Sequence, residues 1–278
     1  MRIALIGDFH YSRMHHDSEE LVKAKEKAYR YMLQAFLDQE ADFHISIGDL
    51  THEGVPEELE QLVEWIDHSG RQFIHVLGNH DTYSIPKADI LAITGQERYR
   101  VIDTEDVMLL ILDTTQEMNP SDWGGTLDAE QLVWLHQQLE RSGDKPVFVF
   151  GHHPVHDTTM RSTMDMLSIH PRVDVKSVLH RKAEGGFYFC GHNHVNSLVR
   201  QAGWHYIQTA ACLDVPAFRI IEVKDGEVSM DYVRMDDPQL NEDVACFYTR
   251  MPGFGPTASA LGEEADLRLV TQRLKAAR

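Results

Sequence analysis

Five short apolar segments, each followed at once by a loop that carries Asp, His or Asn, constrain the fold of this chain most. The segments end near residues 7, 48, 77, 150 and 190. Apolar runs of this length, bounded by glycine, predict buried strands. Because α/β sheets bind ligands at the carboxyl ends of their strands, five polar loops at such ends predict a single site.

Helical patterns separate several of these strands. An amphipathic pattern covers residues 18–40, and a second helix is predicted over 56–68, where Pro56 and two glutamates suit a first helical turn. A third helix is predicted over 128–141, with Asp128 as its N-cap. The alternation of strands and helices predicts an α/β fold in which helices cover mixed sheets.

The later part of the chain has a different pattern. A strand is predicted over 106–113, and residues 196–233 then show short strands separated by turns such as Asp225-Gly226. Short strands with turns of this kind favour antiparallel pairing.

The chain divides into a main domain and a tail. The domain is predicted to span residues 1–235 and to include a cap over the site at 157–183, where the strand pattern is interrupted. Residues 236–278 form a C-terminal tail with a helix predicted from about 258 to 277. The apolar positions of that helix suit packing on the body or on a second copy, and a homodimer through this helix or through the cap is one expectation.

The formal net charge is −18, from 44 Asp and Glu against 26 Lys and Arg. A field of that sign disfavours nucleic-acid polymers and anionic membranes as partners. It also disfavours a phosphate ligand, unless bound divalent cations supply positive charge locally. The 17 histidines, several beside Asp, Asn or Gly in predicted loops, offer ligands for such ions.

The sequence also bears on location and redox state. No segment approaches the length of a membrane span, and residues 1–7 lack the basic stretch and cleavage site of a secretory signal. The expected location is therefore cytoplasmic. The three cysteines, Cys190, Cys212 and Cys246, are widely spaced, which disfavours a disulfide framework or a thiolate zinc site.

The candidate chemistry lies in five motifs. They are Asp8-Phe9-His10, Gly48-Asp49, Gly78-Asn79-His80-Asp81, Gly151-His152-His153-Pro154 and Gly191-His192-Asn193-His194. A Gly-Asp pair alone is usually a turn, but all five motifs in this order form a strong signal. Carboxylate and imidazole ligands suit Mn, Fe, Zn, Co or Ni better than Mg or Ca. Because side chains two apart in a strand point the same way, Asp8 and His10 are expected to grip one ion.

In this order the motifs resemble those of the calcineurin-like metallophosphoesterase superfamily, whose pattern is D-x-H, G-D, G-N-H-D or G-N-H-E, a His, and G-H-x-H. The resemblance runs from residue 3 to about residue 235. It implies a four-layer α-β-β-α sandwich with two mixed β-sheets and a metal site at the strand carboxyl ends. The chain looks most like the bacterial branch that contains cyclic-nucleotide and glycerophosphodiester phosphodiesterases.

The resemblance also implies two divalent transition-metal ions, with Mn, Fe or Zn expected. One ion would be held by Asp8, His10, Asp49 and His194. The other would be held by Asp49, Asn79, His152 and His192. Asp49 would then bridge the ions, and His80 would face the substrate as the catalytic residue that protonates the leaving oxygen.

Some assignments stay open. His152 and His153 are adjacent, and His152 is preferred as the ligand because it follows Gly151 directly. His153 is the alternative ligand, and both His153 and His156 are candidate contacts to the substrate. Asp81 is expected to orient a neighbouring imidazole, as carboxylates behind metal ligands do. Three residues beyond the first motif are expected in a solvated loop: His15, His16 and Asp17.

We expect hydrolysis of a small phosphodiester by a metal-bound hydroxide that attacks phosphorus in line. A phosphomonoesterase or a nucleotide pyrophosphatase could use the same site. A function of another class is a regulatory or scaffold protein that keeps the metals and has lost catalysis. Against it stands the presence of every expected ligand and of His80.

Overall fold

Apart from the helix predicted over 258–277, the predicted strands and helices are present with small shifts at their ends. The computed structural model describes residues 1–13 and 18–271, so His15, His16 and Asp17 lie outside the described residues. The strands are β1 (Arg2–Ile6), β2 (Phe43–Ser46), β3 (Phe73–His75), β4 (Arg100–Asp103), β5 (Met108–Ile111), β6 (Val147–Phe150), β7 (Gly186–Cys190), β8 (Ser197–Gln201), β9 (Trp204–Gln208), β10 (Ala217–Lys224), β11 (Glu227–Arg234) and β12 (Leu269–Val270). The α-helices are α1 (Glu19–Leu37), α2 (Pro56–Asp67), α3 (Lys87–Thr94), α4 (Ala129–Arg141), α5 (Val175–Leu179), α6 (Pro238–Phe247) and α7 (Glu264–Leu267).

Two six-stranded mixed sheets form the centre of the fold. The first has the order β12-β11-β10-β1-β2-β3, in which β1, β2 and β3 are parallel. The second has the order β4-β5-β6-β7-β9-β8, in which β5, β6, β7 and β9 are parallel. The strands that precede the five motifs are therefore parallel within each sheet, which brings their carboxyl ends to one edge.

The two sheets face each other across an apolar core. Leu5 of β1 and Phe148 of β6 are fully buried in it. A second core lies between the first sheet and helices α1, α2 and α6, and a third lies between the second sheet and helices α4 and α5. The helices thus cover the outer faces of both sheets, which confirms the four-layer α-β-β-α sandwich.

Local sequence explains where the principal helices begin. Ser18 caps α1 by accepting the backbone N–H of Leu21 at 3.3 Å. Asp128 caps α4, as predicted, by accepting the backbone N–H of Gln131 at 2.8 Å. Across the two described ranges, no helix is both long enough and apolar enough to cross a membrane.

The antiparallel pairing predicted for 196–233 is confirmed. β8 pairs with β9, and β10 pairs with β11, both antiparallel. Asp225 and Gly226 join β10 to β11 with φ of 52° and 78°, as a two-residue hairpin turn requires. In addition, β9 adds to β7 as a parallel strand, which extends the second sheet beyond the last motif.

The single helix predicted over 258–277 is wrong in its described part. The chain turns at Gly262, whose φ is 69°, and α7 covers only one helical turn. Leu269 then pairs with Met230 of β11, because an open sheet edge offers unpaired backbone groups that a strand can satisfy. The longest helix of the described tail is α6, which packs on α1. The expected packing of a second copy on a helix over 258–277 therefore loses its structural basis.

Candidate metal centre

The loops that follow β1, β2, β3, β6 and β7 meet at one edge of the two sheets. They bring seven side chains together: Asp8, His10, Asp49, Asn79, His152, His192 and His194. Six of the seven are buried, and His194 is partly exposed. We call them the candidate ligands.

The first cluster consists of Asp8, His10, Asp49 and His194. The Nε2 atoms of His10 and His194 lie 3.1 Å apart. Nε2 of His10 lies 3.7 Å from Oδ2 of Asp49, and Nε2 of His194 lies 3.8 Å from Oδ1 of Asp8. Ligand atoms that each lie about 2.1 Å from one ion are roughly 3–4 Å apart, so this spacing suits a single ion.

The second cluster consists of Asp49, Asn79, His152 and His192. Nε2 of His152 lies 3.3 Å from Oδ2 of Asp49 and 3.0 Å from Oδ1 of Asn79. The ring of His192 lies 5.1 Å from that of His152, centroid to centroid. Nε2 of His192 donates to the Met166 carbonyl at 2.9 Å, which leaves Nδ1 as the nitrogen for this cluster.

Asp49 belongs to both clusters through one oxygen atom. Oδ2 lies 3.7 Å from Nε2 of His10 and 3.3 Å from Nε2 of His152. The other oxygen, Oδ1, accepts the backbone N–H of His80 at 2.8 Å. The carboxylate is therefore held by the protein on one side and presents a single oxygen to both clusters.

The electrostatics of the clusters fit bound cations. Burial raises the pKa of Asp8 to about 8, and Oδ2 of Asp8 is buried without a hydrogen-bond partner among the described residues. Burial lowers the pKa of His192 and of His194 to about 3. Burying such groups without partners is costly, whereas a divalent cation satisfies the carboxylate and the neutral imidazoles together. The residues present therefore fit metal ions.

The backbone around the candidate ligands adopts an uncommon conformation. φ is positive at five of them: Asp8 (36°), His10 (49°), Asp49 (49°), His192 (69°) and His194 (54°). Residues other than glycine rarely adopt this region, and those that do cluster at functional sites. This corrects the expectation that strand alternation aligns Asp8 with His10. Both lie beyond the end of β1, and the turn orients their side chains.

Two glycines precede candidate ligands in the chain, and each leaves space for the side chain of another candidate ligand. A Cβ at Gly191 would lie 2.3 Å from Oδ2 of Asp8, and a Cβ at Gly48 would lie 2.3 Å from Nδ1 of His152. The ligand side chains occupy the volume that any larger residue would need. Glycine is required at both positions by this close approach.

His80 lies beside the first cluster. Its ring meets that of His10 edge-on, with centroids 4.6 Å apart, and it is partly exposed. Nδ1 donates to the carbonyl of His52 at 2.6 Å. The free position on the ring is therefore Nε2, for which the described residues provide no hydrogen-bond partner.

Asp81 holds two loops together and does not orient the imidazole of a candidate ligand. Oδ1 accepts the backbone N–H of Thr51, and Oδ2 accepts that of Gly78, both at 2.8 Å. The imidazole near it is that of His75, whose Nε2 lies 3.4 Å from Oδ2. Asp81 thus ties the loop after β2 to the loop after β3.

The structure separates His152 from its neighbour. His153 is fully buried, its Nδ1 is paired with Oγ1 of Thr114 at 2.8 Å, and its Nε2 donates to the Trp123 carbonyl at 2.9 Å. Both nitrogens of His153 therefore have partners in the protein, although one of them lies within 4.8 Å of ring nitrogens of His152 and His192. A contact of His153 with the substrate stays a prediction. His156 lines a different cavity, of about 480 Å³, which none of the candidate ligands lines.

Three residues without a motif also contact the first cluster. Nδ1 of His52 lies 3.3 Å from Nδ1 of His10, and Oδ2 of Asp214 lies 3.7 Å from Nδ1 of His194. The ring of Phe254 lies 5.2 Å from that of His194. The sequence offered one signal for these three residues, which is that His52 follows closely after the second motif.

Comparisons with known proteins bear on this geometry. A family model described as calcineurin-like phosphoesterase matches residues 1–196. A glycerophosphodiester phosphodiesterase, GpdQ, from Enterobacter lignolyticus is 26% identical over 201 residues, which are 70% of this chain and 71% of that protein. A probable cyclic nucleotide phosphodiesterase from Rhodopseudomonas palustris is 26% identical over 156 residues, 55% of this chain and 56% of that protein.

A solved structure has a similar fold. The crystal structure of a dimetal phosphatase from Danio rerio matches with a TM-score of 0.68 at 15% identity, covering 84% of this chain and 96% of that one. The family match includes all seven candidate ligands and His80, so the resemblance seen in the motifs is confirmed. The chain belongs to the calcineurin-like phosphoesterase family and is a metal-dependent hydrolase of phosphoric esters.

Proposed function

We propose that the protein hydrolyses a small phosphodiester at a centre of two divalent transition-metal ions, with Mn, Fe or Zn expected. The observation that carries this proposal is the position of Asp49, whose Oδ2 lies within 3.7 Å of an imidazole nitrogen in each cluster. Two-metal hydrolases hold their ions about 3.5–4 Å apart, a spacing that one shared oxygen suits. Relatives that are named as phosphodiesterases favour a diester substrate.

The first cluster would hold one ion and the second cluster the other. Ions bound there supply an activated water and neutralise charge on the phosphoryl oxygens. The protein contributes imidazoles whose orientation is already fixed. Nδ1 of His152 donates to the Ile47 carbonyl at 2.9 Å, and Nε2 of His192 donates to the Met166 carbonyl at 2.9 Å. Each ring therefore keeps its other nitrogen as a lone-pair donor toward the second cluster.

His80 is the proposed proton donor to the leaving oxygen. Its Nδ1–H bond to the His52 carbonyl holds the ring in place, and Nε2 is left to exchange a proton with the ester. Its backbone N–H, which donates to Oδ1 of Asp49, holds the main chain of His80 beside the shared carboxylate. A positioned acid of this kind contributes about 10²–10⁴ in rate.

We also propose that residues 157–183 form a cap beside the second cluster. The Met166 carbonyl in this segment holds His192. Arg161 donates to the carbonyl of Asn193 at 3.1 Å, and its exposed side chain places a cation beside the fifth motif. A cation there would favour a phosphate ester in a chain whose net charge is −18.

One sample can test the proposal. Metal content is measured by inductively coupled plasma mass spectrometry, and the same protein is assayed on bis(p-nitrophenyl) phosphate and on p-nitrophenyl phosphate. We expect about two transition-metal ions per chain, faster hydrolysis of the diester, and loss of activity with EDTA. A faster monoester rate would overturn the choice of substrate. Bound metal without hydrolysis of either ester would favour the scaffold function instead, whereas no metal and no hydrolysis after addition of Mn, Fe, Co, Ni or Zn would overturn the proposal.

A further inference from the structure

Residues 251–257, here called the tail loop, lie against the first cluster. The ring of Phe254 is nearly parallel to that of His194, with centroids 5.2 Å apart and an angle of 26° between planes. It also meets the ring of His10 edge-on, at 5.1 Å. These contacts come from beyond residues 1–196, the part of the chain that the family model matches. The tail loop therefore adds contacts to the metal centre that the five motifs do not predict.

A first hydrogen-bond chain joins the tail loop to His10. Nε2 of His52 donates to the carbonyl of Pro252 at 2.7 Å. Since a carbonyl only accepts, the proton lies on Nε2, and Nδ1 of the neutral ring is an acceptor. Nδ1 of His10 lies 3.3 Å from that atom. His10 therefore donates through Nδ1–H and keeps its Nε2 lone pair for the first cluster.

A second chain joins the tail loop to His194. The backbone N–H of Thr257 donates to Oδ1 of Asp214 at 3.0 Å. The other oxygen, Oδ2, is buried, lacks a hydrogen-bond partner among the described residues, and lies 3.7 Å from Nδ1 of His194. A carboxylate behind a ligating imidazole fixes its tautomer and raises its basicity. Asp214 thus stands behind His194 as His52 stands behind His10.

His52 also supports the proposed proton donor. Its ring stacks on that of His80, with centroids 5.0 Å apart and an angle of 24°. Its carbonyl accepts Nδ1–H of His80 at 2.6 Å. The residue that the tail loop holds through Pro252 is therefore the one that contacts both His10 and His80.

We propose that the tail loop fixes His10 through His52, and His194 through Asp214. In this way the tail loop sets the affinity of the first cluster for its ion. His52 and Asp214 are positioning residues, since each acts through a candidate ligand. The inference rests on the proposed function, because it concerns the same two-ion site. The second cluster takes its outer hydrogen bonds from the carbonyls of Ile47 and Met166, so the effect is confined to one ion.

The test is a calorimetric titration of the EDTA-treated protein with Mn²⁺. His52→Phe keeps a ring against His80 and removes both hydrogen bonds, whereas Asp214→Asn keeps the size of the side chain and the acceptor for Thr257. We expect the wild type to bind about two Mn²⁺ per chain. Each variant should bind one of them about 10–100-fold more weakly and leave the other unchanged. Electron paramagnetic resonance at two equivalents, which needs no turnover, should show isolated Mn²⁺ in place of a coupled pair.

Matched controls are His68→Phe and Asp236→Asn, which change exposed residues of the same types and should bind as the wild type does. Circular dichroism reports folding, and if His52→Phe fails to fold, the isosteric Asp214→Asn carries the test. Wild-type affinity for both ions in the folded variants, or equal weakening of both ions, would overturn the inference and leave the proposed function standing. A wild type that takes up neither Mn²⁺ nor Fe²⁺ nor Zn²⁺ would overturn both.

Discussion

The backbone N–H of His80 donates a 2.8 Å hydrogen bond to Oδ1 of Asp49. The proposed proton donor and the carboxylate shared by both clusters are thus joined through the main chain. Any residue other than proline at position 80 retains this donor. The imidazole can therefore be removed while the shared carboxylate stays in place, which separates catalysis from metal binding.

The His80→Ala variant is expected to retain its metals and to lose about 10²–10⁴-fold in kcat, the usual contribution of a general acid. The loss should be larger for diphenyl phosphate than for bis(p-nitrophenyl) phosphate, because phenolate is the poorer leaving group and needs its proton more. Steady-state rates on the two esters and the metal content of the same sample measure this.

His68→Ala is the control for this variant, because His68 is an exposed histidine at the end of α2. It should match the wild type on both esters. Equal losses of His80→Ala on the two esters would argue against proton donation. Loss of an ion in that variant would make His80 a ligand.

The motifs located the candidate ligands because each follows a strand end, and parallel strands bring such ends to one edge. The sequence did not predict the roles of His52 and Phe254, because neither position is set by a strand end. His52 meets Pro252 across 200 residues of sequence, and the tail loop has no periodic pattern that would place it. Contacts of this kind depend on how the tail packs on the body, which local sequence does not determine.

Two further cases show where a sequence pattern stops being informative. The helical spacing over 258–277 gave way to strand pairing between Leu269 and Met230, since a sheet edge was within reach. His152 and His153 are adjacent residues of the same type, and only their contacts in the structure distinguish them. His152 has Nε2 toward Asp49, whereas His153 has both nitrogens engaged outside the clusters.

The Gly191→Ala variant tests the close approach of backbone to ligand. Its Cβ would lie 2.3 Å from Oδ2 of Asp8, so that Asp8 must move out of the first cluster. We expect weaker binding of one ion, lower kcat and an unfolding free energy about 1–3 kcal/mol lower, as for other overpacked sites. Gly255→Ala is the control, because no heavy atom lies within 4 Å of a Cβ there. Unchanged affinity for both ions in Gly191→Ala would contradict the role given to this glycine.

Arg219→Met should destabilise the protein without changing its chemistry. Arg219 is fully buried and donates to Oδ1 of Asn196 at 2.8 Å, to Oγ1 of Thr209 at 3.0 Å and to the Asp266 carbonyl at 3.2 Å. Its removal leaves buried acceptors unpaired, at about 1–3 kcal/mol each. Urea denaturation should show an unfolding free energy lower by about 3 kcal/mol, with little change in kcat/KM at saturating metal.

The exposed Arg200 of β8 provides the control for that variant. Arg200→Met should change the unfolding free energy by less than about 0.5 kcal/mol, as surface substitutions usually do. If Arg219→Met were no more destabilising than Arg200→Met, the hydrogen bonds of the buried guanidinium to Asn196, Thr209 and Asp266 would not contribute to stability.

The stability of the metal-free protein should fall as the pH falls below about 6. Burial lowers the pKa of His192 and of His194 to about 3, whereas an unfolded histidine titrates near about 6.5. Between these values the unfolded chain binds more protons, so the free energy of unfolding decreases with decreasing pH. Asp8 and His152 act in the opposite sense. Burial raises the pKa of Asp8 to about 8, and the Asp49 carboxylate raises that of His152 to about 9 in spite of its burial. Below about pH 6 an unfolded histidine is itself mostly protonated, so His152 then has little effect and Asp8 alone opposes the two neutral imidazoles.

Each group contributes up to about 1.4 kcal/mol per pH unit, so the two neutral imidazoles outweigh Asp8 by about 1 kcal/mol between about pH 6 and about pH 5. Urea denaturation of EDTA-treated protein between about pH 6 and about pH 5 measures the slope. His194→Gln removes one titrating imidazole and should flatten it, whereas the exposed His68→Gln should not. Bound Mn²⁺ should steepen it, because imidazoles hold the ion only when they are neutral. A metal-free protein that became more stable toward pH 5 would mean that these imidazoles are protonated in the folded state, which would leave the first cluster unable to hold an ion without first losing protons.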